Sequence, residues 1–323
     1  MRTILIATDF SEAARRAAMY GLQLAKAFNA RIILLHAYQR GPMPLSDSLV
    51  IINPGDLAEL VHRQLQEEVA CLGVENDIPI QVLGEEGPAA ETILNVAYRL
   101  KADLVVCGMK GEGKRTRKVF GSAVTDMTRK TRVPLLVIPE SVKFESPRVL
   151  ALADDIHPDA DVHVLDMLRS IAQRFHSKLF MINVVKDPGE KDRGKKDAGE
   201  KNAGEKNAGE KNAGEVRQPG LHLPGNLRKV LQTLDPIYES PAGEDVNHVL
   251  QEAVISHDVN MLAMIPHPQS LFSRWLKGSH TRDMIFETSI PLLVLPDIRR
   301  RTPLISLFHD EEAPGIDLRG ESR

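Results

Sequence analysis

Cysteine is scarce in this sequence: among 323 residues, only Cys71 and Cys107 carry a thiol. Two cysteines cannot build the disulfide framework on which small secreted domains rely. Cys107 lies within an apolar run and is expected to be a small buried side chain instead of a reactive thiol. No leader-like pattern precedes the first apolar run, so we predict a protein of the reducing cytoplasm.

Long apolar runs and an excess of charge of one sign are also missing. No run approaches the roughly 20 residues of a membrane-spanning helix, so we predict no membrane partner. The net charge is only −3, and no overall field attracts nucleic acid or an anionic lipid surface. The basic cluster at residues 114–118 has no interleaved aromatic residue, which argues against nucleic acid as a partner.

The length and the apolar pattern predict two α/β domains. A chain of 323 residues favours two domains, and 42% apolar with 26% charged residues is typical of globular proteins. Short apolar runs predict strands at 4–7, 32–35, 80–83, 104–107 and 134–139. Helical patterns lie between them, the first starting after Ser11 as N-cap, and others at 57–71 and 89–100. Strands that are apolar throughout and alternate with helices predict a parallel sheet covered on both faces.

The second half of the sequence repeats this order. Strand-like runs at 149–153, 179–182, 261–264 and 291–296, and helical patterns at 162–175 and 246–255, match elements of the first half. The run at 291–296 nearly copies the run at 134–139. We therefore predict a duplication, with one domain at 1–140 and a second at 145–296.

Two segments fall outside this repeat. Residues 189–216 contain Gly-Glu-Lys-Asn-Ala three times and have no aromatic residue. Such a segment buries too little apolar surface to offset its ordering entropy, so we predict a low-complexity, disordered insertion in the second domain. The polar tail at 297–323 is expected to be weakly ordered.

A glycine-rich segment follows the fourth predicted strand: Gly108, Gly111 and Gly121 are followed by Ser122 at a helix start. Ligands of open parallel sheets bind beyond the carboxyl ends of strands. Glycine lets the backbone approach a phosphate, and a helix N-terminus favours an anion. The spacing is neither that of a P-loop nor that of a dinucleotide fingerprint. Three glycines near a strand end are also common in α/β proteins without a phosphate site.

Asp9 closes the first predicted strand, where its carboxylate could accept hydrogen bonds from ribose hydroxyls or bind a metal-bridged phosphate. The alternative is that Asp9 helps Ser11 to cap the following helix. Ala7 and Ala37 are expected at the ends of neighbouring strands, where small side chains leave room for a flat ring.

The run at residues 4–11, Ile-Leu-Ile-Ala-Thr-Asp-Phe-Ser, resembles the opening of universal stress protein domains. The spacing Gly108-x2-Gly111-x9-Gly121-Ser122 is similar to the motif of the ATP-binding branch of that family. This resemblance implies, in each domain, a five-stranded parallel sheet with helices on both faces, similar to the adenine nucleotide alpha hydrolase fold. It also implies bound ATP, ADP or AMP, with Mg²⁺ held near Asp9 through phosphate. The nucleotide-binding residues it implies are Ala7, Thr8, Asp9, Ala37, Cys107, Gly108, Lys110, Gly111, Gly113, Gly121, Ser122, Ala123 and Val124.

Some positions depart from the family pattern. Val124 stands where a hydroxyl residue is frequent, and Lys110 where histidine or arginine is frequent. In the second half, Ile265 and Pro268 occupy the two upstream glycine positions. Because proline lacks an N–H and its ring blocks close approach, the second domain is expected not to bind ATP in the same way.

The resemblance implies a nucleotide-dependent regulatory or stress-response switch without a fast catalytic step, and nothing in the sequence resembles a nucleophile paired with a base. One alternative is a non-catalytic interaction or scaffold protein with a vestigial nucleotide site. A second is a slow ATPase or an adenylate-using enzyme. The family also pairs domains through the last strand, which implies that 134–139 lies beside 291–296. One chain would then mimic a dimer, and a further homodimer stays open.

Overall fold

The computed structural model describes residues 1–39, 43–45, 48–50, 54–73, 78–109, 122–153, 162–184, 225–243, 246–265 and 290–296. Most of the glycine-rich loop, at 110–121, lies outside the described residues. The predicted insertion at 189–216 and the tail at 297–323 also lie outside them.

Strands and helices alternate along the first half as the apolar pattern predicts. The elements are β1 (Thr3–Ala7), α1 (Glu12–Phe28), β2 (Arg31–Tyr38), β3 (Met43–Leu45), β4 (Ser48–Val50), α2 (Pro54–Cys71), β5 (Ile80–Glu86), α3 (Ala89–Arg99), β6 (Leu104–Met109), α4 (Ser122–Lys130) and β7 (Leu135–Pro139). The strands β7, β6, β1, β2 and β5 lie side by side in that order, and all their pairs are parallel. The short antiparallel pair of β3 and β4, in the long connection after β2, was not predicted.

The second half repeats the arrangement. Its elements are β8 (Val149–Ala153), a 3₁₀ turn (Val162–Leu165), α5 (Asp166–Phe175), β9 (Lys178–Ile182), α6 (Gly225–Gln232), β10 (Ile237–Glu239), α7 (Val246–Ser256), β11 (Met261–Met264) and β12 (Leu292–Val294). The order β12, β11, β8, β9, β10 reproduces that of the first half. The predicted helix at 162–175 therefore begins as a 3₁₀ turn, and it becomes α-helical only from Asp166.

Two edge strands join the halves into one sheet. Strand β12 pairs antiparallel with β7, so that Leu292 lies opposite Val137, Leu293 opposite Leu136 and Val294 opposite Leu135. Ten of the described strands thus form a continuous sheet, parallel within each half and antiparallel at the junction.

The core lies on both faces of this sheet, because successive side chains of a strand point to opposite faces. Ile4 and Ile6 of β1 belong to one buried cluster, and Leu5 and Ala7 to the other. The first cluster also contains residues of α1 and α5, and it spans both halves of the chain. At its rim the rings of Phe28 and Phe175, at the ends of these two helices, meet edge to face with their centroids 6.1 Å apart. Fold class and layer order therefore follow the prediction.

Candidate nucleotide site

The sheet order places a crevice at the carboxyl end of β1. From β1 the chain crosses to β2 on one side, and it later returns to β6 on the other side of β1. Such a reversal of strand order separates the connections that leave neighbouring strands, so that a ligand can enter between them. The residues predicted to bind nucleotide from β1 and β6 both lie at this edge.

The segment after β1 forms a tight turn held by its own polar groups. The Thr8 N–H donates to the carbonyl of Leu35 at 2.9 Å, and the Thr8 hydroxyl oxygen accepts from the Phe10 N–H at 3.0 Å. Asp9 is exposed, and its Oδ1 accepts from the Ser11 N–H at 3.0 Å. Ser11 then caps α1, because its hydroxyl oxygen accepts from the Ala14 N–H at 3.2 Å. Asp9 therefore helps Ser11 to cap α1, which is the alternative role considered for it from the sequence. Its contact with a ribose stays a prediction.

An aromatic pair at this turn was not predicted from the sequence. Phe10 has a φ of 63°, a left-handed conformation that bulky residues rarely adopt. Its ring lies 4.5 Å from that of His36 on β2, and Nδ1 of His36 lies 2.7 Å from the carbonyl oxygen of Thr8. Since a carbonyl can only accept, Nδ1 carries the proton and donates. The turn that presents Asp9 is thus held from β2 as well as from its own backbone.

Strand β6 runs further than its apolar run predicts, through Gly108 to Met109. A Cβ on Gly108 would lie 2.3 Å from the carbonyl oxygen of Ala13 in the first turn of α1. The glycine is therefore required by the packing of α1 on β6, a reason different from the phosphate approach predicted from the sequence. Cys107 is buried, and burial raises the pKa of its thiol to about 12, so its side chain stays neutral.

The start of α4 carries three of the predicted binding residues, Ser122, Ala123 and Val124. Ala123 is half-buried, and Val124 is buried in the same apolar cluster as Ala7 and Cys107. The side chain of Val124 therefore belongs to the core, and only its main chain remains for the predicted phosphate contact. Ser122 is the first residue of α4, as predicted. Lys110, Gly111, Gly113 and Gly121 lie outside the described residues.

The expected position of Ala37 needs a correction. Strand β2 continues to Tyr38, and Ala7 at the end of β1 lies opposite Leu35. Ala37 therefore lies two residues beyond the position opposite Ala7, and it is the second-last residue of β2 instead of the last. The strand is longer than predicted because its pairing with β5 continues to Tyr38. Ala37 is half-buried and packs against the cluster that contains Ala7.

A metal site is not formed by the described residues alone. In the described ranges, no three side chains of His, Cys, Asp or Glu come together. Asp9 offers a single carboxylate, and a cation held by protein ligands alone needs more oxygen atoms than that. One carboxylate is compatible with Mg²⁺ that is bound mainly through the phosphates of a ligand. Mg²⁺ therefore stays a prediction.

Known proteins resemble this chain over both halves. The model of the universal stress protein family matches residues 1–139 and again residues 147–296. The chain belongs to the universal stress protein family. The resemblance seen in the sequence is thereby confirmed, and the family match covers both halves, including the second half with its weaker motifs.

Individual universal stress proteins match either about two fifths of the chain or nearly all of it. A universal stress protein from Thermus aquaticus is 31% identical over 137 residues, which cover 42% of this chain and 98% of that protein. The crystal structure of a universal stress protein from Archaeoglobus fulgidus covers 91% of this chain and 98% of its own, with a TM-score of 0.60 at 16% identity. A universal stress protein solved in complex with cAMP is 21% identical and covers 42% of this chain and 96% of its own, with a TM-score of 0.34.

Of the helices that the structure describes, none is both long enough and apolar enough to cross a bilayer.

Proposed function

We propose that the first domain of this universal stress protein, residues 1–140, binds an adenine nucleotide and that the protein acts as a nucleotide-dependent regulatory switch. The observation that carries the proposal is that Asp9 and Gly108 lie at the carboxyl ends of the neighbouring strands β1 and β6, at the strand-order reversal, where Gly108 opens the Gly-x2-Gly-x9-Gly-Ser segment. In the proposal, ATP, ADP or AMP places its phosphates along this segment and its ribose beside Asp9.

The chemistry of the crevice supports an anionic ligand with a flat ring. The N-terminus of α4 carries partial positive charge, which favours phosphate near Ser122. Ala7 and Ala37 provide small side chains beside the crevice, and the Asp9 carboxylate is exposed at its mouth. No proton-transfer pair is needed for binding, so we propose a ligand switch and not a catalytic cycle.

The nucleotide can be tested with the purified full-length protein. Binding of ATP, ADP and AMP is measured by calorimetry, and nucleotide that co-purifies is identified by mass spectrometry of the heat-released supernatant. Gly121→Asp places a side chain and a negative charge in the phosphate segment, so binding should be lost, because like charges repel and backbone approach is blocked.

The sequence repeat supplies a matched control. Gly278 occupies the position in the second half that Gly121 holds in the first. If the first domain is the nucleotide domain, Gly278→Asp should leave the affinity unchanged. Unaltered affinity in Gly121→Asp would overturn the proposed site, and the absence of any adenine nucleotide binding would favour the scaffold alternative.

We also propose that residues 145–296 act as an internal partner and that the β7–β12 junction persists in solution. The halves share one core cluster that includes Leu136 and Leu293, which supports a chain that mimics a dimer of single domains. The cytoplasmic location and a further homodimer stay predictions of the sequence.

A further inference from the structure

The turn between β1 and α1 contains a bulky residue in a conformation that suits glycine. Phe10 has a φ of 63°, and a side chain on a left-handed residue crowds the backbone. Such residues persist only where the surrounding structure holds them, and they cluster at functional sites. Asp9, whose side chain is exposed in the candidate nucleotide site, directly precedes Phe10. The strained residue therefore lies where it sets the position of Asp9.

Contacts from β2 hold this turn in place. The ring of His36 lies 4.5 Å from the ring of Phe10, and the two planes are tilted by 41°. Nδ1 of the same imidazole donates to the carbonyl of Thr8 at 2.7 Å. The Phe10 ring also packs against the buried cluster that spans both halves of the chain. His36 thus contacts the residue before Asp9 and the residue after it.

The turn leaves one oxygen of Asp9 available. Its Oδ1 accepts from the Ser11 N–H at 3.0 Å, while the Thr8 hydroxyl oxygen accepts from the Phe10 N–H at 3.0 Å. Within the part of the chain that the structure describes, Oδ2 of Asp9 accepts no hydrogen bond. A ribose hydroxyl needs an acceptor of this kind. The turn therefore fixes the Asp9 carboxylate through one oxygen and presents the other.

We propose that Phe10 and His36 are a positioning pair for the candidate nucleotide site: their contact keeps the turn in the conformation in which Asp9 offers Oδ2 to the ribose hydroxyls. The inference rests on the proposed nucleotide function and adds the part of the ligand that the pair governs. An affinity falls in proportion to the fraction of molecules in the binding conformation. A turn that is ordered before the ligand arrives therefore binds more tightly than one that the ligand must order.

The test uses the full-length protein and calorimetry with two probes, ATP and 2′,3′-dideoxy-ATP. The dideoxy compound keeps the base and the phosphates but lacks both ribose hydroxyls. We expect the wild type to bind ATP about tenfold more tightly than the dideoxy compound, a difference of about 1.4 kcal/mol. The ratio of the two affinities reports the ribose contact, because a change in the base site, the phosphate site or the overall fold affects both probes equally.

Two variants of Phe10 separate the ring from the backbone conformation. Phe10→Ala keeps the steric cost of the left-handed backbone and loses the ring contact, so ATP affinity should fall about tenfold and the ratio should approach one. Glycine adopts this conformation without the cost, so Phe10→Gly should bind ATP about fivefold more tightly than Phe10→Ala. Equal losses in the two variants would mean that the ring itself touches the ligand, and would overturn the positioning role.

Two variants of His36 test the bond to Thr8. His36→Leu removes the donor and should weaken ATP about tenfold and lower the ratio. His36→Asn places an amide N–H where Nδ1 was, and should recover part of the loss in both quantities. His257→Leu is the matched control, because His257 stacks on Phe180 in the second half with the centroids 4.2 Å apart. It should leave both affinities unchanged.

The outcomes separate this inference from the proposed function. A wild-type protein that binds no adenine nucleotide overturns both. Wild-type binding of ATP and dideoxy-ATP with equal affinity overturns the positioning pair alone, and so does a ratio that stays unchanged in Phe10→Ala and His36→Leu. Melting temperatures identify any variant that does not fold. If Phe10→Ala is one of them, the ratio in His36→Leu and its recovery in His36→Asn decide the question.

Discussion

Gly108 on β6 and Ala13 on α1 are in backbone contact: a Cβ added at Gly108 would lie 2.3 Å from the carbonyl oxygen of Ala13 and 2.7 Å from the amide nitrogen of Ala14. Real side chains do not approach backbone atoms so closely. The first turn of α1, which begins directly after Asp9 and Ser11, therefore rests on the end of β6. This contact fixes how the start of α1, which follows Asp9, lies against the end of β6.

Gly108→Ala should consequently destabilise the protein. The methyl group forces α1 away from β6, and we expect the free energy of unfolding to fall by about 1–3 kcal/mol, as in other overpacked cores. Urea denaturation followed by circular dichroism measures the change. Gly55→Ala on α2 is the control, because its Cβ would meet no atom within 4 Å and alanine favours a helix by up to about 1 kcal/mol over glycine. Equal denaturation midpoints for the two variants would contradict the contact.

The junction of the halves can be tested with a double-mutant cycle. Leu136 and Leu293 lie opposite each other, and both side chains are fully buried. Each change to alanine should cost about 2–5 kcal/mol, and the two changes should couple by about 0.5–3 kcal/mol because the side chains are neighbours. Leu35 with Leu293 is the control pair: Leu35 lies four strands away from β12, so these two changes should add. Additive costs in both pairs would mean that the halves do not pair in solution.

An ion pair between α1 and α2 gives a third prediction. Arg15 donates from Nε and Nη2 to the two carboxylate oxygens of Glu68 at 3.1 and 3.0 Å, and the side chain of Glu68 is only 5% exposed. The hydrogen bonds and the charge of Glu68 raise the pKa of Arg15. Glu68→Gln keeps the shape but removes the charge, and should lower the free energy of unfolding by about 1–3 kcal/mol.

Glu67→Gln provides the comparison for this pair. Glu67 is the exposed neighbour of Glu68 on the same helix, and its change should stay within about 0.5 kcal/mol of the wild type. Thermal and urea unfolding at pH 7 measure both variants. A Glu68→Gln protein as stable as Glu67→Gln would show that the buried carboxylate contributes nothing through its charge.

The two thiols should differ in reactivity. Cys71 is exposed and Cys107 is buried, and burial raises the pKa of Cys107 to about 12. Because only the thiolate reacts, a disulfide reagent at pH 8 should label Cys71 quickly and Cys107 only in denaturant. Since the folded pKa of Cys107 lies above its ordinary value of 9.0, its contribution to stability is complete below pH 9 and is lost as the pH rises toward 12. Rapid labelling of native Cys71→Ser would contradict this assignment.

Much of the fold could be predicted because it depends on local patterns. The run at residues 4–7 and the run at 104–107 are apolar at every position, which is the pattern of a parallel strand buried on both faces. Ser11 could be recognised as a cap because capping is a local interaction: its hydroxyl oxygen accepts from the N–H of a residue only three positions later. The boundaries were less accurate where pairing extended a strand, as at Gly108 and Met109, since the partner strand decides where a ladder ends.

The candidate site was predictable to a smaller extent. Glycine spacing and the position of Asp9 identify the region, but the left-handed turn at Phe10 and its contact with His36 have no signature in the sequence. At Val124 the position in the motif suggests the ligand, whereas the side chain lies in the core, so only a main-chain contact with phosphate stays a prediction. Motif spacing records position along the chain and not the direction in which a side chain points.

The sequence by itself determined the alternation of strands and helices, the duplication and the family, because periodicity and spacing act over a few residues. Only the tertiary structure decided the packing of Gly108 against Ala13, the register of Leu136 with Leu293, and the ring contact of Tyr20 with Phe144. Tyr20 and Phe144 are more than a hundred residues apart along the chain, and Leu136 and Leu293 further still. Such contacts arise when two halves, each folded by its own local pattern, bury their remaining apolar edges against each other.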